Sequence, residues 1–273
     1  MSATTTEAAP AAVEPTTRAA RPAPAPTPFR RVLHVELRKM FDTRSGFWLM
    51  ASIVIVSAIA TALTVLLGDR DTLTFESFAA AIGSPMSVIL PVIGVLAVTS
   101  EWSQRTSLTT FTLVPSRPRV LAAKILDTLA IGLVAMFVAL GVGALGTVVT
   151  SMITGYDAQW DISLSAFLQI ILANELGMMV GFALGLLLRS SPAAIVGYFV
   201  VSLVLPGLSG ALGAAQQWWA DNAAWFDLNE TRFLLFDGAV SGQDWVQLGV
   251  TSLLWIGLPL LVGTRLVLRS EVK

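Results

Sequence analysis

Six apolar runs of about twenty residues or more, separated by polar stretches, set the pattern of this chain. The runs cover residues 47–67, 78–98, 126–153, 164–188, 193–212 and 246–268. An α-helix rises 1.5 Å per residue, so about 20 apolar residues are enough to cross the hydrocarbon core of a bilayer. The pattern therefore predicts an all-α polytopic membrane protein with six transmembrane helices. Pro85 and Pro91 lie inside the second run, where neighbouring helices can re-satisfy the freed carbonyls.

Composition agrees with a membrane protein and argues against an enzyme. The chain is 55% hydrophobic and 13% charged, whereas an ordinary soluble domain is about 25% charged. It contains no Cys and a single His, His34, which excludes disulfides and thiolate metal sites. It also lacks a Gly-x-x-x-x-Gly-Lys-Ser/Thr phosphate loop. We therefore expect no catalytic residue, no metal site and no cofactor in this chain.

The chain before the first span falls into two parts. Residues 1–28 are mostly Ala, Pro and Thr, a composition that predicts a disordered tail. Residues 29–45 place apolar side chains at helical spacing and basic side chains on the other side. This pattern predicts a basic amphipathic helix in the headgroup region; the alternative, which is compatible with it, is a positive flank that sets orientation. Residues 46–273 form the predicted six-span domain.

The charges divide by side of the predicted membrane. Fifteen of the 17 Lys and Arg residues fall before the first span, in the stretch between the second and third spans, at Arg189 and near the C-terminus; only Arg70 and Arg232 fall on the other side. Ten acidic residues occupy that other side. The positive-inside rule then predicts that both termini lie in the cytoplasm.

Residues 99–124, between the second and third spans, are too polar for lipid and longer than a plain connector needs to be. Glu101 and Arg105 are spaced to pair on a helix, and Trp102 lies between them. The pattern predicts a short amphipathic helix over 100–113. We expect Arg119 and Lys124 to lie at the membrane surface.

The same stretch carries a family resemblance. Glu101-Trp102 is followed by Arg-Thr-Ser-Leu-Thr-Thr from Arg105 and by Leu-Val-Pro-Ser-Arg-Pro-Arg-Val-Leu-Ala-Ala-Lys up to Lys124. This order resembles the loop after the second span in permease subunits of the type-two ABC exporter family. Val-Glu-Leu-Arg-Lys-Met-Phe-Asp-Thr-Arg, residues 35–44, is similar to the start of those subunits. One departure is that members often have Gly-Thr where this chain has Arg105-Thr106.

The resemblance implies a permease subunit of the bacterial plasma membrane, dimeric with itself or with a related permease. It implies a partner ABC ATPase subunit that holds ATP and Mg²⁺, and a loop helix that couples the two chains. By motif position the coupling residues would be Glu101, Trp102, Arg105 and Thr106. No nucleic-acid partner is expected.

The fourth run carries the candidates for a translocation path. Glu175 lies near its middle beside Asn174, and Gly177, Gly181 and Gly185 follow at four-residue spacing. A carboxylate at the bilayer centre faces a bundle interior or a water-filled cavity, and the glycines are typical of close helix packing. At about 100° per residue, Asn174 projects on the glycine face and Glu175 away from it. Glu175 fits either a path residue or a neutral, hydrogen-bonded side chain.

Residues 213–245, before the sixth span, mix Trp and Phe with acidic residues. This composition predicts one or two short external helices half-embedded in the membrane, or an ordinary aromatic belt.

Three functions remain open from the sequence. The first is the exporter permease. The second is a proton-coupled secondary transporter that uses Glu175. The third is a non-transporting membrane module for assembly or sensing.

Overall fold

The computed structural model describes residues 27–68, 73–103, 116–238 and 240–269, and within these ranges the chain contains helices and no strand. We number the helices α1 Phe29–Phe41, α2 Arg44–Leu67, α3 Phe75–Ser103, α4 Arg117–Thr154, α5 Leu164–Leu188, α6 Ser191–Ala215, α7 Gln217–Asn222, α8 Leu228–Asp237 and α9 Gly242–Arg269. Among the described residues, α2 to α6 and α9 are long and apolar enough to cross a membrane. The prediction of an all-α fold with six helices able to span a membrane is thus confirmed for the described part of the chain.

The second and third spans are longer than their apolar runs. Helix α3 continues from the predicted end at residue 98 to Ser103, and α4 begins at Arg117, well before the predicted start at residue 126. Pro118 occupies the first turn of α4, where its missing N–H removes no helical hydrogen bond. The predicted loop helix over 100–113 falls mainly on residues 104–115, which lie outside the described residues.

Helices α3 and α5 form the central pair of the bundle, packing along each other more extensively than any other described pair. A methyl group on Gly181 would collide with the backbone carbonyl of Pro91, and one on Gly185 would lie 2.7 Å from Val98 Cγ1. In the opposite direction, a methyl group on Gly94 of α3 would collide with the carbonyl of Met178. Small residues on both helices therefore let the two backbones approach closely.

The fifth and sixth spans each contain a π-helical turn, at Val200–Val204 in α6 and at Leu253–Gly257 in α9. Each wide turn ends two residues before a proline, Pro206 or Pro259. A proline ring clashes with the carbonyl four residues earlier in a regular α-helix, and a π-turn shifts the hydrogen-bond register around that carbonyl. Helix α3 runs through Pro85 and Pro91 without such a turn.

The bundle has two distinct ends. One end, which we call the α1 end, gathers α1, the last turn of α3, the first turns of α4 and the turn between α5 and α6. At the opposite end α7 and α8 follow α6, within the segment that was predicted to contain short helices. Helix α8 packs into the bundle: a methyl group on Gly83 of α3 would lie 3.3 Å from the ring of Phe236.

Candidate functional site

A buried ion network at the α1 end joins α1, α3 and α4. Lys124 Nζ of α4 lies 2.6 Å from Glu36 Oε2 of α1 and 3.4 Å from Glu101 Oε1 of α3. Lys39 Nζ of α1 lies 2.6 Å from Glu36 Oε1 and 3.6 Å from Glu101 Oε1. Lys124 also donates to the carbonyl oxygen of Ala97 at 3.3 Å. The two ammonium groups thus hold the end of α3 to both neighbouring helices.

Most of the network is buried, with Lys39 as its partly exposed member. Glu36, Glu101, Lys124 and Asp127 are 3%, 4%, 7% and 2% exposed. Asp127 lies on the same helix face as Lys124, one turn later, and its Oδ2 is buried without a hydrogen-bond partner among the described residues. Glu36 and Glu101 thus share two ammonium groups, and a third buried carboxyl group, that of Asp127, lies one turn from Lys124 without an ion pair among the described residues.

The pKa of Glu36 shows how the network is balanced. Burial raises the pKa of this carboxyl group, but the Lys124 and Lys39 ammonium groups outweigh burial and hold it below its ordinary value of 4.5. Glu36 is therefore the charged partner of both lysines at neutral pH. Since breaking a buried ion pair leaves an uncompensated charge, the three helices are coupled at this point.

Further contacts extend from the end of α3 and the start of α4. The Thr99 and Ser191 hydroxyl oxygens lie 2.8 Å apart, which joins α3 to the start of α6. The Arg189 guanidinium lies 6.0 Å from the centre of the Trp102 ring, and Arg189 caps α5 in a left-handed backbone conformation. Arg117 at the start of α4 donates to the carbonyl of Val267 near the end of α9 at 2.8 Å. The end of α3 and the start of α4 are thus joined to α5, α6 and α9 as well as to α1.

Two of the four predicted coupling residues lie in this region. Glu101 and Trp102 occupy the last turn of α3, whereas Arg105 and Thr106 lie outside the described residues. The Glu101 carboxylate points into the network. The ammonium group of Lys124 is buried against two carboxylates, whereas Arg119 is exposed; that both lie at the membrane surface stays a prediction.

The predicted path residues lie on two faces of α5. Asn174 is 1% exposed and donates to the carbonyl of Ile170 at 3.0 Å, while its Oδ1 has no partner within the described part of the chain. Glu175 faces α4, where a methyl group on Gly132 would collide with its carboxylate. Both carboxylate oxygens of Glu175 are buried and accept no hydrogen bond from described residues. Gly177, on the other face, lies against α3 and α8.

Sequence reasoning missed Glu36, Lys124 and Asp127. In α1, Val32, Glu36 and Met40 recur at four-residue spacing and so share a face. Lys124 and Asp127 are three residues apart at the start of an apolar run, a spacing that places opposite charges together. The Lys124–Asp127 pair was therefore the sequence signal from which a buried ionic site could have been predicted.

A scan against models of known protein families finds none that matches this chain, and a search of curated proteins finds no match.

Proposed function

We propose that this chain is the membrane-spanning permease subunit of an ATP-driven exporter in the bacterial plasma membrane. Two copies, or one copy and a related permease, would form the path, and separate ABC ATPase subunits would hold ATP and Mg²⁺. The α1 end would face the cytoplasm, because most of the Lys and Arg residues lie there. The loop resemblance around Glu101 and Trp102 motivates the proposal.

The observation that carries the permease proposal is the ion network at the α1 end. A partner that pushes on residues 104–115 acts at the end of α3, where Glu101 is held to α1 by Lys39 and to α4 by Lys124. Buried charge pairs resist separation more strongly than exposed ones. The movement would therefore pass to several spans together, as a transporter that changes between inward-open and outward-open states requires.

Co-purification tests the proposal. The chain is expressed with the ATPase encoded beside it and isolated in detergent, in wild-type form and with residues 104–115 replaced by a Gly-Ser linker of the same length. We expect the wild-type chain to retain the ATPase and the linker variant to lose it. A matched replacement of residues 156–162, between α4 and α5 at the opposite end, should retain it. A wild-type chain that never associates with the ATPase would refute the proposal.

Proton-coupled secondary transport is the second candidate, and Glu175 is the observation that favours it. Its buried carboxylate, without a hydrogen-bond partner among the described residues, has the setting of a proton carrier in a membrane. This function predicts transport that continues after ATP depletion and stops in Glu175→Gln. The exporter proposal predicts that ATP depletion stops transport in the wild-type protein.

A further inference from the structure

Helix α8 brings an arginine to the middle of a membrane-spanning helix. A methyl group on Gly238, at the end of α8, would lie 3.6 Å from Ala166 Cβ near the start of α5. Arg232 lies against Gly177 instead. Since the helix rises 1.5 Å per residue, Gly177 is about 20 Å along α5 from its start at Leu164. The Arg232 side chain is therefore held deep in the bundle and not at its surface.

Arg232 is buried and has no hydrogen-bond or ion-pair partner in the described part of the chain. The residue is 2% exposed, and its Nε is buried without a hydrogen-bond partner. The acidic residues nearest to it in sequence are Asp227, Glu230 and Asp237, and no ion pair joins Arg232 to any of these or to Glu175. Its guanidinium carbon lies 5.0 Å from the centre of the Phe233 ring.

An arginine in this position is costly to the fold. The guanidinium keeps its charge in proteins, and a buried charge without a counter-charge destabilises the folded state. Charged residues within a membrane are usually paired or line a functional path. The cost is therefore expected to be offset by something that the isolated chain does not contain.

The surroundings of Arg232 are suited to a polar ligand. Gly177 leaves room for the guanidinium, because a methyl group there would collide with Arg232 Nη1. Asn174 lies one turn earlier on the same face of α5, and its Oδ1 is buried without a partner among the described residues. The chain has no other basic residue between Arg189 and Arg265.

We propose that Arg232 binds an anionic group, a carboxylate or a phosphate, of the molecule that this chain transports. The planar guanidinium donates two parallel N–H···O bonds to either group. The anion could belong to a soluble molecule or to a lipid headgroup. This inference rests on the proposed transport function, since it assigns a substrate class to that function.

Ligand-dependent stability tests the inference. Full-length protein is purified in dodecyl maltoside, which carries no phosphate or carboxylate. Its unfolding temperature is measured against increasing sodium phosphate, sodium acetate or phosphatidylglycerol, with sodium chloride at equal ionic strength as the reference. We expect the wild-type unfolding temperature to rise with at least one of the three probes beyond the chloride reference. A response to phosphate or acetate identifies a soluble anion, and a response to phosphatidylglycerol alone identifies a lipid.

Two variants and a control locate the response. In Arg232→Gln we expect the half-saturating concentration to rise at least about tenfold, because charge-assisted hydrogen bonds are lost. Without ligand, Arg232→Gln should unfold at the same temperature as wild type or higher, whereas an arginine with only a structural role would give a lower temperature. Arg232→Lys keeps the positive charge but lacks the parallel N–H donors of the guanidinium. Its half-saturating concentration should therefore lie between those of wild type and Arg232→Gln. Arg269→Gln, an exposed arginine at the α1 end, should respond as wild type.

The inference is overturned if the wild-type protein responds to none of the three probes or if Arg232→Gln responds as wild type does. A lower unfolding temperature of ligand-free Arg232→Gln also overturns it. If that variant does not fold, an unchanged half-saturating concentration in Arg232→Lys overturns it. Failure of anion binding while the ATPase still co-purifies removes this inference alone. Loss of co-purification while Arg232-dependent binding persists removes the transport proposal and leaves an anion site.

Discussion

At the residue scale, Lys124 is the more buried of the two ammonium groups in the ion network. Its ammonium group contacts Glu36, Glu101 and the carbonyl of Ala97. Replacing Lys124 with Met would retain most of the length of the side chain and leave the carboxylates of both glutamates buried with less counter-charge. The contacts made by Lys124 are thus the ones that a single substitution can test most directly.

We expect Lys124→Met to destabilise the fold by about 3–5 kcal/mol, the cost of removing one partner from a buried ion pair. Chemical or thermal unfolding in detergent would measure the change. Arg119→Met is the matched control, because Arg119 is an exposed base on the same helix and should change stability by less than about 0.5 kcal/mol. A double variant, Glu36→Gln with Lys124→Met, should recover part of the loss. Equal losses in Lys124→Met and Arg119→Met would contradict the network.

The lowered pKa of Glu36 predicts a specific acid sensitivity. A carboxyl group whose folded pKa lies below its unfolded value stabilises the fold fully above the unfolded value, and that stabilisation is lost as the pH falls through the folded value. For Glu36 the loss falls below its ordinary pKa of 4.5. Unfolding temperatures measured between pH 6 and pH 3 should therefore fall less steeply in Glu36→Gln than in wild type. Asp42→Asn, which removes an exposed carboxyl group at the C-cap of the same helix, should keep the wild-type slope.

Whether a charged residue lies inward could be predicted from this sequence only in part. Glu175 stood out because its run is otherwise apolar. Glu36 did not, because Arg30, Arg31, Arg38 and Lys39 surround it in a segment that reads as a surface helix. Its burial depends on where α4 passes, and that is a tertiary contact that helical periodicity does not contain.

At the scale of the helices, the α3–α5 contact depends on the glycines. A methyl group on Gly181 would meet backbone atoms of Pro91, which cannot move away as a flexible side chain could. We expect Gly181→Ala to destabilise the fold by about 1–3 kcal/mol, as overpacking does. On the exposed side of α4, Gly141→Ala meets no atom within 4 Å and should be neutral or stabilise by up to about 1 kcal/mol. Unfolding in detergent compares the two, and a stabilising Gly181→Ala would contradict the close approach.

The positions of the spans could be predicted from the apolar runs, but their ends and internal turns could not. An apolar run ends where the side chains become polar. Helices α3 and α4 extend beyond their apolar runs, because packing with α1 stabilises the additional turns. Pro85, Pro91, Pro206 and Pro259 all lie inside apolar runs, and the neighbouring sequence does not distinguish them. Only Pro206 and Pro259 follow π-turns, and the difference depends on which neighbouring groups satisfy the freed carbonyls.

At the scale of the whole molecule, the proposed function depends on movement passing from the loop to the spans. The family resemblance places Glu101 among the residues that contact the ATPase. The structure places its carboxylate against Lys39 and Lys124, 4% exposed. These two roles make opposite predictions for a substitution that removes the charge and keeps the shape.

Glu101→Gln separates the two roles in the complex with the ATPase. If the carboxylate acts inward, the variant should retain the ATPase on co-purification but lower ATP-driven transport several-fold, because α3 would be held less firmly to α1 and α4. Glu76→Gln, at the opposite end of the same helix and exposed, should leave both measurements unchanged. Loss of the ATPase from Glu101→Gln would instead assign Glu101 to the contact itself. Unchanged transport with the ATPase retained would show that movement reaches the spans by a route other than the network.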